Sequence, residues 1–121
     1  MNSPNLPEKA KEIINDPNNE IYYSVISLWE IEIKHINNPM LMPYSAAAIE
    51  RVSNETAGFL LVQFTSKSIH KLAELTRPDS APKHKDPFDR ILICQAIAED
   101  MKFLTHDSLI AGYNVKNIIF V

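Results

Sequence analysis

Three acidic residues in this sequence follow apolar runs and stand where helices should begin. They are Glu30 in Ser27-Leu28-Trp29-Glu30, Asp89 in Lys85-Asp86-Pro87-Phe88-Asp89-Arg90, and Asp107 in Leu104-Thr105-His106-Asp107. If the strands ahead of them run parallel, all three carboxylates arrive at one edge of a sheet. Mg2+ or Mn2+ takes oxygen ligands, usually a few carboxylates plus water. A cation so held activates water and stabilises charge on a phosphate under in-line attack. Without it, like charges at close range raise one another's pKa. The pattern therefore points to metal-dependent phosphoryl-transfer chemistry.

Each acid also has a purely structural explanation. Ser27-x-x-Glu30 is a capping-box pattern. Asp86 ahead of Pro87 suits an N-cap, and Asp89 would then be the third helical residue, favoured by the helix dipole. Asp107 could cap a short helix after it. Any one carboxylate is better read as a cap; the three together, at one predicted edge, favour the ligand reading. Lys83, Lys85 and Arg90 around Asp86 and Asp89, and Lys34 after Glu30, supply local cations, or else a solvated surface. His84 and His106 lie beside the acids, where they could touch a substrate, whereas His35 and His70 read as surface residues on helices.

The elements that must position these residues alternate between helix and strand. The pattern predicts a helix over 6–15 with Pro7 in its first turn, a turn over 16–19, and a strand over 21–26 buried on both faces. A helix follows from Ser27 to about Asn37, then another ending near Gly58. A strand is expected over 59–64 and a helix over 65–75 with Thr65 as N-cap. Residues 76–88 carry three prolines and read as irregular. A largely apolar, buried helix over 89–100 precedes a strand over 103–105, a helical turn over 108–112 and a terminal strand within 115–121. Such alternation implies an α/β fold around a mostly parallel sheet. In folds of this kind ligands bind beyond the carboxyl ends of the strands. The helix at 89 and the strand ending at 105 run back along each other, so Asp89 and Asp107 should share an end.

The totals set limits. A chain of 121 residues, 45% apolar and 22% charged, makes one domain of ordinary size, residues 1–121, with no linker or repeat. Its net charge of -3 excludes nucleic-acid binding through bulk positive charge. No apolar run approaches a membrane span, and the first residues do not read as a secretory signal. The single cysteine, Cys94, sits in an apolar run and reads as a buried thiol in a reducing, cytoplasmic setting. Zinc spacing, a P-loop, a Gly-rich dinucleotide turn and Gly-x-Ser-x-Gly are all missing. Trp29 reads as a core or interface anchor, and Ser27 as a cap rather than a nucleophile.

The segments around Leu28-Trp29-Glu30-Ile31, Asp86-Pro87-Phe88-Asp89-Arg90 and Thr105-His106-Asp107, in this order, resemble the PIN-domain family, and within it the VapC-type toxins of bacterial type II toxin–antitoxin systems. The resemblance spans essentially the whole chain. It implies a PIN-like α/β/α sandwich with a mostly parallel central sheet. It further implies a metal-dependent endoribonuclease that cuts RNA of the tRNA or rRNA class with Mg2+ or Mn2+ and is silenced by a VapB-type antitoxin; a homodimer is suggested. Glu30, Asp89 and Asp107 match the family's metal-binding acids. Asp86 belongs to the motif as a further ligand or as a cap. Lys85, Arg90 and His106 are the candidate RNA contacts.

One departure is large. The family pattern opens on a strand ending in an aspartate, whereas this sequence starts at Met1-Asn2-Ser3, in the segment expected to follow it. The expectation is therefore a shortened domain lacking one acidic position. Two readings stand side by side: a ribonuclease toxin impaired by that loss, and an inactive PIN-like remnant that binds an antitoxin or itself.

Overall fold

The structure, a computed structural model, describes residues 6–76, 87–107, 110 and 113–121. The chain divides into two compact units, Met1–Phe64 and Thr65–Val121.

The first unit opens with helix α1 (Glu8–Asn15), in which Pro7 occupies the cap position just before the first turn. An Asx turn follows: Asp16 Oδ1 accepts from the Asn18 N–H, and the Asp16 carbonyl accepts from Asn19. Strand β1 (Tyr22–Ser24) is only three residues long. The expected strand over 21–26 stops early because Ser24 caps helix α2 (Val25–Asn37), its Oγ accepting from the Ile26 N–H at 3.0 Å. Val25 and Ile26, β-branched and therefore strand-like by type, form the first turn of that helix instead, and Ile26 is buried. Tyr22 is exposed, so the strand is not covered on both faces as expected.

Helix α2 stops at Asn38, whose N–H bonds to the Lys34 carbonyl, ahead of Pro39. The connection then folds back along α2. His35 Nδ1 meets the Met42 carbonyl at 2.8 Å, and Glu32 accepts from the Ala46 N–H at 3.3 Å. Helix α3 (Ala46–Arg51), capped by Ser45, packs on α2 and continues as a π-helical turn, Val52–Thr56. Gly58 takes φ +71, and strand β2 (Leu60–Val62) follows, pairing parallel with β1 in the register Tyr22↔Leu60. Along this unit an apolar stripe faces solvent: Trp29 (59% exposed), Ile36, Met40 (93%), Leu41 and Tyr44.

The second unit begins with helix α4 (Ser66–His70), extended by a 3-10 turn, Lys71–Glu74. Thr65 holds the cap position, yet its side chain makes no capping hydrogen bond. Helix α5 (Pro87–Ala98) packs against α4 through its buried residues Ile93, Cys94, Gln95 and Ala96. It ends in a Schellman turn: Met101 N–H bonds to the Ala96 carbonyl and Asp100 N–H to that of Ile97, with Asp100 at φ 53. That turn reverses the chain into strand β3 (Phe103–Thr105), which pairs parallel with strand β4 (Ile118–Phe120). The core of this unit is Ile93, Ile110 and Tyr113, with Leu75, Ile97, Phe103, Val115 and Ile118 packed on it.

Both strand pairings are parallel, as an α/β fold requires, and they form two two-stranded sheets. Of the helical turn expected over 108–112, only Ile110 lies among the described residues, and it is buried. Most of the irregular stretch expected over 76–88 lies outside them.

Candidate functional site

Asp89 stands where the sequence places it, as the third residue and in the first turn of α5. The helix rises about 18 Å over its twelve residues. The Schellman turn then reverses the chain into β3, which packs against α5 and runs back toward the start of that helix. Asp107 follows β3 by two residues, and its N–H donates to Thr105 Oγ1 at 3.0 Å, which fixes the turn that carries the carboxylate. Asp107 is exposed and Asp89 half-buried; Arg90, beside Asp89, is exposed.

His106 lies between strand end and carboxylate. Its Nδ1 is 2.6 Å from the Val121 main-chain oxygen. That oxygen only accepts, so Nδ1 is the donor in this contact. The imidazole stacks on the Phe120 ring, centroids 5.9 Å apart and planes 18° from parallel. Phe120 was not singled out from sequence. It ends an apolar terminal run, and only the register Thr105↔Phe120 brings it beside His106.

Glu30 belongs to the first unit, and its position corrects the expectation. Because Ser24 rather than Ser27 caps α2, Glu30 is the sixth helical residue, in the second turn, and no acidic residue occupies the first turn. Ser27 is inside the helix and caps nothing. Glu30 instead forms an i,i+4 ion pair with Lys34 at 3.2 Å. Trp29 is no core anchor, being 59% exposed. Asp86 and Lys85, expected as ligand and RNA contact, lie outside the described residues, as do Lys83 and His84.

Carboxylate oxygens are the donors that Mg2+ and Mn2+ prefer, so Asp89 and Asp107 suit a hard cation by chemistry. Among the described residues, no group of three or more His, Cys, Asp or Glu side chains gathers closely enough to hold a metal ion. Burial pushes the Cys94 thiol above its ordinary 9.0, with Arg90 pulling it down and Glu74 adding to the rise, so this residue is a poor nucleophile or ligand. Among the described residues, no helix is long and apolar enough to cross a membrane.

No curated protein matches the chain, and no solved structure does. A family model, that of the PIN domain, matches residues 1–115. PIN domains are generally nucleases and typically use divalent metal ions. With short parallel sheets, acids at a helix start and after a strand end, and a match over nearly its whole length, this chain belongs to the PIN domain family.

Proposed function

We propose that the chain is a metal-dependent endoribonuclease toxin of the VapC type, in a type II toxin–antitoxin system, hydrolysing phosphodiester bonds in RNA. The observation that carries this reading is the placement of Asp89 in the first turn of α5 and Asp107 just beyond β3, in a member of a nuclease family. Glu30, Asp89 and Asp107, with Asp86, are the proposed holders of Mg2+ or Mn2+. When bound, such a cation supplies an activated water and charge opposite the phosphate. The chain's own residues do the rest. The carboxylates orient the site, and Lys85, Arg90 and His106 contact the RNA, the two cations Lys85 and Arg90 offsetting the repulsion that a net charge of -3 would otherwise impose.

The proposed partners are RNA of the tRNA or rRNA class, a VapB-type antitoxin and a second copy of the chain, in the cytoplasm. The exposed stripe from Trp29 to Tyr44 supports a second copy. Five large apolar side chains, Trp29, Ile36, Met40, Leu41 and Tyr44, stand in solvent within this one stretch of the sequence. Sedimentation of the wild type as a monomer at high concentration would remove the dimer from the proposal. The same stripe favours a second reading, an inactive PIN-like module that binds an antitoxin or itself.

Calorimetric titration with Mn2+ and RNA cleavage, each on wild type and Asp89→Asn, separate the two readings. The nuclease reading expects the wild type to bind and cut, and the variant to lose both while keeping its fold. A folded wild type that neither binds Mn2+ nor cuts RNA would leave the binding module. Equal cleavage by the two proteins would overturn the role of Asp89.

A further inference from the structure

We propose that the stacked His106 and Phe120 rings form a platform for one nucleobase of single-stranded RNA, next to the bond that is cut. The inference rests on the ribonuclease reading above and deepens it by naming how the substrate is gripped.

Several features of the pair suit that role. The rings are already parallel, 18° apart, so they present a common orientation to a third ring. Phe120 keeps 45% of its surface in solvent, and His106 is exposed. Phe120 is not among the residues of the core cluster, which is built on Ile93, Ile110 and Tyr113. The imidazole orientation is favoured by a hydrogen bond from Nδ1 to the Val121 main-chain oxygen at 2.6 Å. Phe120 itself is the last residue of β4 and is held in register with Thr105. Asp107 follows His106 directly and is fixed by Thr105 Oγ1. The platform and a proposed cation-holding carboxylate therefore lie together at the carboxyl ends of two parallel strands, where ligands of such sheets bind.

The geometry also selects a kind of substrate. Every base offers a π face, so stacking tolerates any sequence but needs a base that is not already sandwiched in a duplex. Loops, bulges and single-stranded ends qualify; the interior of an RNA helix does not. An acidic chain gains most from such a contact, since stacking is insensitive to the charge that repels phosphate.

The test uses a single-stranded RNA that the wild type cuts with Mn2+, its cut bond mapped, and copies of it with one abasic residue at each flanking position. Phe120→Leu keeps apolar bulk and removes the ring. It should lower kcat/KM about tenfold on intact RNA, mostly through KM. The wild type should lose a similar factor on one abasic copy, and the variant should lose nothing further on that copy. His106→Tyr, which keeps a flat ring, should retain more than His106→Ala, and this comparison stands even if Phe120→Leu fails to fold. If the wild type cuts RNA and Phe120→Leu and His106→Ala match it, the platform is wrong and the ribonuclease reading survives. If the variants lose equally on every abasic copy, stacking is not their role. If the wild type cuts no RNA, both ideas fall together.

Discussion

Replacing Glu30 by glutamine separates two roles that one carboxylate could play. In the structure Glu30 pairs with Lys34 at 3.2 Å, one turn along α2, with side chains 23% and 60% exposed. An exposed i,i+4 pair of this kind contributes about 0.3–0.5 kcal/mol. Its loss should lower the thermal midpoint of a chain this size by about 1–3 °C. If Glu30 also holds the cation, Glu30→Gln should cut Mn2+ affinity and RNA cleavage at least about a hundredfold, the upper end of what losing a mere outer-shell partner produces. Lys34→Met is the control. It breaks the same ion pair, costs the same small stability, and leaves the carboxylate in place. The assay is a melt, an Mn2+ titration and RNA cleavage on all three proteins. Glu30→Gln cutting RNA like the wild type, or Lys34→Met losing as much as Glu30→Gln, would refute the reasoning, because the structural pair would then account for everything.

Other perturbations test the scaffold. Asp100 sits at φ 53, closing α5, so Asp100→Gly should stabilise the chain by about 0.5–1 kcal/mol, and a lower denaturant midpoint would contradict that. Ser68 is fully buried on α4, and its hydroxyl finds no hydrogen-bond partner among the described residues. Ser68→Ala should therefore stabilise by about 1 kcal/mol, and a loss of stability would reveal a partner for that oxygen. Burial raises the Cys94 thiol above 9.0, so the folded chain keeps a proton that the unfolded chain gives up. Folding is unpenalised below pH 9.0 and loses stability as pH climbs from there through the higher folded value. Urea midpoints for wild type and Cys94→Ala will already differ at pH 7 because the buried side chain is truncated; from pH 7 to pH 10 the wild-type midpoint should fall further than that of the variant.

Much of this was legible in the residues, and the misses have local causes. Asp89 at the third position of α5 followed from Asp86-Pro87, since a proline is at home in a first turn. The parallel strands followed from helix and strand alternating along the chain. The start of α2 did not. Val25-Ile26 is strand-like by type, and a choice between Ser24 and Ser27 as cap depends on which oxygen meets a free N–H. That slip of three residues moved Glu30 from the first helical turn to the second. The pairing of His106 with Phe120 depends on strand register, which alternation does not specify. Trp29 was readable as an anchor by type, but its exposure is a property of the packed chain.

Trp29 is the only tryptophan in the sequence, and it stands in solvent on the stripe along α2, one residue before Glu30. The chain therefore carries a built-in optical reporter whose signal comes from its surface rather than its interior. Its native emission should already be red-shifted and open to collisional quenching by acrylamide. Melting the core should alter that spectrum little, whereas a protein settling on the stripe should shift it to the blue and shield it from the quencher. Docking on this surface can thus be followed without a label, and unfolding is better followed by circular dichroism.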